Sequence, residues 1–226
     1  MGGMPSTVMR SMPEALRVTE IFYSLQGEAS TVGTPTVFVR LTGCPLRCHY
    51  CDTAYAFRGG ERMSVMQVLD RVGEYAAKFV TVTGGEPLAQ KGCLPLLSSL
   101  CDRGYRVSLE TSGALDVKAV DPRVVKVMDL KTPASGEAQR NRWENLAYLQ
   151  PHDELKFVIC NRPDYEWARA KVHDLELGAR WTVFFSASYG ELSSQQLADW
   201  ILADRLLDVR LQIQLHKSLW GDQPGR

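Results

Sequence analysis

Apolar and polar positions alternate along Thr36–Leu41 (TVFVRL), with Val37, Val39 and Leu41 on one face and Phe38 and Arg40 on the other. Successive strand residues point to opposite faces, so this run predicts a strand with one buried side. Phe79–Thr83, Arg106–Glu110, Val124–Leu130, Glu154–Ile159, Trp181–Ser186 and Arg210–Leu215 read as further strands. Between them the period changes to that of a helix. Ser64–Tyr75 reads as a helix capped by Ser64, with Gln67 placed for a capping box. Helices are also expected over Leu94–Asp102, stopped by Gly104, and over Arg140–Leu149, Asp164–Leu177 and Ser193–Leu206. Strands alternating with helices imply a parallel sheet with right-handed crossovers. Six or seven such strands are too few for a closed eight-stranded barrel. A partial barrel and an open doubly wound sheet both satisfy the pattern.

A chain of 226 residues with 45% apolar content suits a single α/β domain. No shift in composition marks a linker. Residues 1–17, with Met4, Met9, Met12, Pro5 and Pro13, are expected to form a flexible tail ahead of a domain over 18–226. They lack the apolar core of a signal peptide. No stretch approaches the roughly 18 apolar residues of a membrane span. The formal net charge is zero, from 26 basic and 26 acidic residues, with no basic run to track a phosphate backbone. A soluble cytoplasmic protein is expected, with no nucleic-acid or membrane partner.

Chemistry-bearing residues fall repeatedly at the ends of the expected strands. Cys44 follows the first and Gly84-Gly85-Glu86-Pro87 the second. Glu110-Thr111-Ser112 ends the third, Asp129 and Lys131 the fourth, Ser186 and Ser188 the sixth, and His216-Lys217 the last. Parallel α/β sheets bind ligands at the carboxyl ends of their strands.

Three of the six cysteines lie within eight residues, as Cys44-Pro-Leu-Arg-Cys48-His-Tyr-Cys51. Clustered cysteines in a cytosolic chain point to metal rather than disulfides. Three thiolates on a short loop can each ligate one iron of a cubane cluster and leave the fourth iron open. Structural zinc takes paired cysteines, and no second pair exists here. A ferredoxin-type electron carrier would want a fourth nearby cysteine. Cys93, Cys101 and Cys160 lie far away in apolar contexts and read as ordinary buried thiols. After the second strand, Thr83-Gly84-Gly85-Glu86-Pro87 forms a glycine turn that lets a ligand approach the backbone. Glu86 there could accept from an ammonium.

The cysteine spacing, followed one βα unit later by the glycine turn, resembles the radical S-adenosylmethionine superfamily. Ser24-Leu25-Gln26-Gly27-Glu28, then Phe38-Val39-Arg40-Leu41 leading into Gly43-Cys44, then Cys51-Asp52-Thr53, is similar to the 7-carboxy-7-deazaguanine synthase family. His216-Lys217-Ser218-Leu219-Trp220 also resembles that family's tail, so the likeness spans about residues 18–220. The resemblance implies a partial (β/α)6-type barrel with a shortened helical layer, working as a homodimer. It implies conversion of 6-carboxy-5,6,7,8-tetrahydropterin to 7-carboxy-7-deazaguanine with loss of ammonia, in queuosine or other 7-deazapurine biosynthesis. The implied cofactors are a 4Fe–4S cluster on Cys44, Cys48 and Cys51, S-adenosylmethionine and Mg²⁺. Flavodoxin or ferredoxin is the expected electron donor.

Site residues follow from the same likeness. Tyr50, Cys51, Asp52, Gly84, Gly85, Glu86, Asp129, Lys131, Ser135, Ser186 and Ser188 are expected around S-adenosylmethionine, with Tyr189 able to touch adenosine. Leu25, Gln26, Gly27, Glu28, Arg40, Thr83 and Pro224 are expected around the pterin. Thr53 is expected to ligate Mg²⁺, since a hydroxyl oxygen suits that hard ion. Arg40 suits the substrate carboxylate, or equally an internal ion pair. Gln26 suits an amide-like ring edge, or a simple turn. Asp52 could cap the turn after it. Lys156, His216 and Lys217 carry no fixed role. The other readings are a glycyl-radical activating enzyme of the same superfamily, a non-catalytic iron–sulfur carrier and a zinc-binding module.

Overall fold

Ser64 and Gln67 close the expected capping box. Gln67 N–H donates to Ser64 Oγ at 3.2 Å and Ser64 N–H donates to Gln67 Oε1 at 2.8 Å. They start α1 (Val65–Gly73), which buries Val65, Val68, Leu69 and Val72 along one stripe. This computed structural model describes residues 15–221, 223 and 225.

The described residues form one nine-stranded sheet in the order β3-β1-β2-β4-β5-β6-β7-β8-β9. Its strands are β1 (Leu16–Leu25), β2 (Pro35–Leu41), β3 (Glu61–Met63), β4 (Phe79–Gly84), β5 (Arg106–Thr111), β6 (Val125–Leu130), β7 (Glu154–Ile159), β8 (Thr182–Ala187) and β9 (Arg210–Gln212). From β2 through β9, skipping β3, every neighbouring pair is parallel. β1 runs antiparallel to β2, and β3 antiparallel to β1. The sheet stays open between its two edge strands, β3 and β9. That is a partial barrel, with the three-residue β9 added to a six-strand parallel unit.

α1, α2 (Cys93–Asp102), α3 (Arg162–Asp174), α4 (Leu177–Arg180) and α5 (Ser194–Ala203) cover the outer face. Val37, Val39, Leu96, Leu109, Phe157, Tyr165 and Phe185 belong to the continuous core between helices and sheet. One buried ion pair interrupts this apolar layer. Lys126 of β6 reaches Asp153 at 2.8 Å, with the two side chains 2% and 0% exposed. No described helix is long and apolar enough to cross a membrane.

Four expectations need correction. The sheet begins at Leu16, two residues before the domain start placed at 18; residues 1–14 lie outside the described part. β1 and β3 were not anticipated, and their antiparallel pairing is long-range. The helix expected over 140–149 is a pair of 3₁₀ turns, Ala138–Arg140 and Trp143–Tyr148. Asn145 sits buried there and donates to the carbonyls of Gly113 and Leu115 at 2.9 and 2.8 Å, which ties the segment to the 113–117 loop. The last strand ends at Gln212 instead of Leu215, because Leu215 N–H donates to Gly27 C=O at 3.0 Å and opens α6 (Leu215–Trp220).

Candidate active site

Alternation along the parallel strands sends one set of side chains to the helices and the other into a common hollow. Arg40 stands beside Thr83, Glu110 beside Val127, and Asp129 beside Lys156 in strand register. All six line one cavity of about 580 Å³. A cavity of that size suits small-molecule ligands.

Cys44, Cys48 and Cys51 line the same cavity, half-buried, on the loop after β2. Backbone contacts hold the loop. Gly43 N–H donates to Ala56 C=O at 2.8 Å and His49 N–H to Ser135 C=O at 3.0 Å. Leu46 is buried as its anchor and turns its N–H onto Cys44 Sγ at 3.4 Å. Burial pushes all three thiols up, Cys48 to about 11, so a metal must displace their protons. Among the described residues, no three His, Cys, Asp or Glu side chains converge as a single ion would require. A cubane does not ask for that convergence, since each thiolate takes its own corner iron. Three thiols on one wall of the cavity fit such a cluster.

The glycine turn braces the first cysteine. Gly85 N–H donates to Leu41 C=O at 3.1 Å and Glu86 N–H to Gly43 C=O at 2.8 Å. A Cβ on Gly85 would lie 2.2 Å from Gly43 O and 2.8 Å from Cys44 Cβ, so only glycine permits this packing. Gly84 and Gly85 line the cavity, but Glu86 does not. Its carboxylate is fully buried and already accepts from Leu88 N–H, Thr111 Oγ1, Ser112 N–H and Ser112 Oγ at 2.5–3.0 Å. The expected ammonium acceptor is therefore a positioning residue that holds Thr111 and Ser112 in the wall.

Ser135 is corrected in the same way. Its hydroxyl donates to Thr132 C=O at 2.6 Å, away from the cavity, while its carbonyl holds His49. Asp164 of α3 steadies that turn, accepting from Thr132 Oγ1 at 3.1 Å and Ala134 N–H at 2.9 Å. Ser186 is buried and not itself in the lining, although its register with Val158 and Gln212 puts it on the cavity face. Its hydroxyl has no hydrogen-bond partner among the described residues. Tyr50, Cys51, Asp52, Thr53, Asp129, Lys131, Ser188 and Tyr189 do line the cavity.

Leu25, Gln26, Gly27, Glu28, Arg40 and Thr83 line the cavity as well. Gln26 is buried and used internally. Its Nε2 donates to Thr81 Oγ1 at 3.1 Å, and its backbone pairs with Gly33 and Thr34. It shapes the 26–28 turn rather than presenting a free amide. Arg40 makes the internal pair, with Nε 2.7 Å from Glu20 Oε1, and Tyr55 donates to the same oxygen at 2.7 Å. Thr53 Oγ1 donates to Asp52 Oδ1 at 2.7 Å, and Lys217 stands 3.6 Å from Asp52 Oδ2. Burial works against the Asp52 charge, but the Thr53 bond and Lys217 hold its pKa below the usual range. Pro224 lies outside the described residues.

Four charged groups run along the floor. Lys156 Nζ lies 2.5 Å from Glu28 Oε2 and 3.3 Å from Asp129 Oδ2, and Lys131 Nζ lies 3.1 Å from Asp129 Oδ1. Burial opposes both acids' ionisation, yet the lysines more than offset it and hold Glu28 and Asp129 below the usual carboxylate range. Glu110 behaves oppositely. Burial and the neighbouring Glu28 charge raise its pKa, despite a 2.8 Å bond from Thr83 Oγ1. Glu110 was expected at a ligand-binding strand end but was given no role there. Its signal was present, since Val107 and Leu109 alternate with Ser108 and Glu110, which puts the acid opposite the core. Gln214 was missed; it donates to Glu28 Oε1 at 2.8 Å from just before α6.

α6 closes the hollow. His216 and Lys217 line it, and a Cβ on Gly27 would come within 2.1 Å of His216 Nδ1. Glycine at 27 thus lets the C-terminal helix seat against the β1 end.

Residues 38–129 match the Radical SAM superfamily. The chain is 45% identical over 209 residues to the 7-carboxy-7-deazaguanine synthase of Chlorobaculum tepidum, covering 91% of this chain and 94% of that one. It is 44% identical over 220 residues to the 7-carboxy-7-deazaguanine synthase of Koribacter versatilis, covering 91% and 97%. In three dimensions it matches QueE from Escherichia coli with a TM-score of 0.75 at 24% identity, covering 89% of this chain and 95% of that one, a likeness of fold.

Proposed function

Because the chain belongs to the 7-carboxy-7-deazaguanine synthase family of radical S-adenosylmethionine enzymes, we propose that it converts 6-carboxy-5,6,7,8-tetrahydropterin to 7-carboxy-7-deazaguanine, a carbon–nitrogen lyase step of queuosine or related 7-deazapurine biosynthesis. The observation that carries this reading is the convergence of Cys44, Cys48, Cys51 and the Gly84-Gly85 turn on one cavity that Glu28, Arg40 and Glu110 also line. The activating-enzyme, electron-carrier and zinc readings have no comparable support.

Cys44, Cys48 and Cys51 would hold the 4Fe–4S cluster. When bound, the cluster supplies the electron that cleaves S-adenosylmethionine to start hydrogen abstraction at C6 of the pterin. Gly84, Gly85, Asp129, Lys131 and Ser188 would bind the S-adenosylmethionine side, with Tyr50 presenting backbone to adenine. Arg40, held in place by Glu20, would face the substrate carboxylate. Glu28 stays anionic and accepts ring N–H donors. Glu110, whose pKa burial and the Glu28 charge raise, would face the pterin ring beside Thr83. α6 would exclude water from the reacting centre.

Mg²⁺ would assist through Thr53, whose hydroxyl donates to Asp52 and keeps its lone pairs as acceptors. A flavodoxin or ferredoxin would deliver the electron. A homodimer would form along the free edge of β9, where Leu207, Leu211, Ile213 and Leu219 are exposed.

The reading requires S-adenosylmethionine to be regenerated. With the tetrahydropterin under anaerobic conditions, product should exceed 5′-deoxyadenosine many times over. Equal amounts, measured by liquid chromatography, would contradict it.

A further inference from the structure

Lys156 is the only cation of the floor that touches both halves of the site among the described residues. Its side chain is 13% exposed, and its ammonium bridges Glu28 Oε2 at 2.5 Å and Asp129 Oδ2 at 3.3 Å. Beyond Glu28 lie Gln214, donating at 2.8 Å, and the turn of Gln26 and Gly27. Beyond Asp129 lies Lys131, whose Nζ stands 5.7 Å over the Tyr50 ring beside the cluster loop. Asp129 Oδ1 lies 3.1 Å from Lys131, so each oxygen of this carboxylate faces a different lysine. Acid and base alternate along the ladder, and its formal charges cancel.

Resting on the functional reading above, we propose that Lys156 is a positioning residue that couples binding of S-adenosylmethionine at one end of the ladder to binding of the pterin at the other. The pterin's N–H donors would engage Glu28, and the cofactor's hydroxyl donors Asp129. A ligand that satisfies either carboxylate holds Lys156 toward the other one. The second ligand then meets an acceptor already fixed in place, and does not have to order it. Two ligands that share one ordering cost bind with positive cooperativity, and the factor is the same in both directions.

Calorimetry on the cluster-loaded enzyme under anaerobic conditions reads this factor. S-adenosylmethionine should bind about tenfold more tightly with saturating tetrahydropterin than without, and the reverse titration should give the same ratio. In Lys156→Met both ligands should still bind alone, and the ratio should fall to within about twofold of one. Lys156→Arg should keep the coupling, because a guanidinium can span two carboxylates. Wild-type coupling retained in Lys156→Met would overturn the proposal, as would independent binding in the wild type. If Lys156→Met fails to fold or load iron, Lys156→Gln, which keeps a polar head without the charge, gives the same reading, and full coupling there would overturn it equally. If the pterin does not bind at all, the functional reading itself fails. If both ligands bind without coupling, only this proposal does.

Discussion

Replacing Cys44, Cys48 and Cys51 together by alanine should leave a folded protein that binds no cluster and turns over no substrate. The fold should survive because the loop is held elsewhere. Leu46 is buried beneath it, Gly43 and His49 are tied through their backbones, and Glu86 N–H grips Gly43 C=O. The thiols are only half-buried, so trimming them should cost about 1 kcal/mol each or less. What disappears is the whole donor set, without which the loop offers a metal nothing but backbone. Iron and sulfide analysis after anaerobic reconstitution should therefore fall to background while circular dichroism stays native. Cys93→Ala, on the apolar side of the sheet, should keep its iron. A triple variant that still takes up about four irons would place the cluster elsewhere.

The largest loss of stability should come from a residue outside the site. Asp153 is fully buried and accepts from Lys126 N–H at 2.7 Å, Gln150 N–H at 2.7 Å and Lys126 Nζ at 2.8 Å. Asp153→Ala strands the Lys126 ammonium in the apolar layer and orphans two backbone donors. Breaking a buried pair from one side costs about 3–5 kcal/mol, a large part of the ~5–15 kcal/mol that keeps a domain folded. Urea unfolding should show the unfolding free energy falling by that amount, with a correspondingly lower midpoint. Lys126→Met combined with Asp153→Leu should recover much of it, since no charge is then left unpaired. A single variant within about 1 kcal/mol of wild type would mean that water reaches Lys126.

Residues whose partners are near in sequence were legible before the fold was known. The Ser64–Gln67 cap is set three residues apart, and the C-x3-C-x2-C spacing puts three thiols on one short loop whatever surrounds it. Alternation in TVFVRL and RVSLE sorted core from cavity correctly, and Glu110, expected only as a strand-end residue, lies on the cavity side. Partners distant in the chain were not legible. Arg40 could have met a ligand or an acid, and only the antiparallel β1–β2 register brings Glu20 beside it. Glu86 sits in a turn that looked open, yet β5 delivers Thr111 and Ser112 onto its carboxylate. Leu16–Leu25 was not read as a strand because its partners, β2 and β3, lie on both sides of the cluster loop. The 140–149 segment had helical periodicity, but Asn145 traded helix hydrogen bonds for carbonyls in the 113–115 loop.

The central claim is that this cavity contracts a pterin ring by radical chemistry. The most direct test incubates reconstituted enzyme, reductant and S-adenosylmethionine with 6-carboxy-5,6,7,8-tetrahydropterin under anaerobic conditions and follows small molecules by mass spectrometry. The account predicts 7-carboxy-7-deazaguanine and ammonia accumulating over many turnovers, with neither formed by the Cys44/Cys48/Cys51 triple variant. Unchanged pterin in the presence of an intact, reducible cluster and bound S-adenosylmethionine would contradict it.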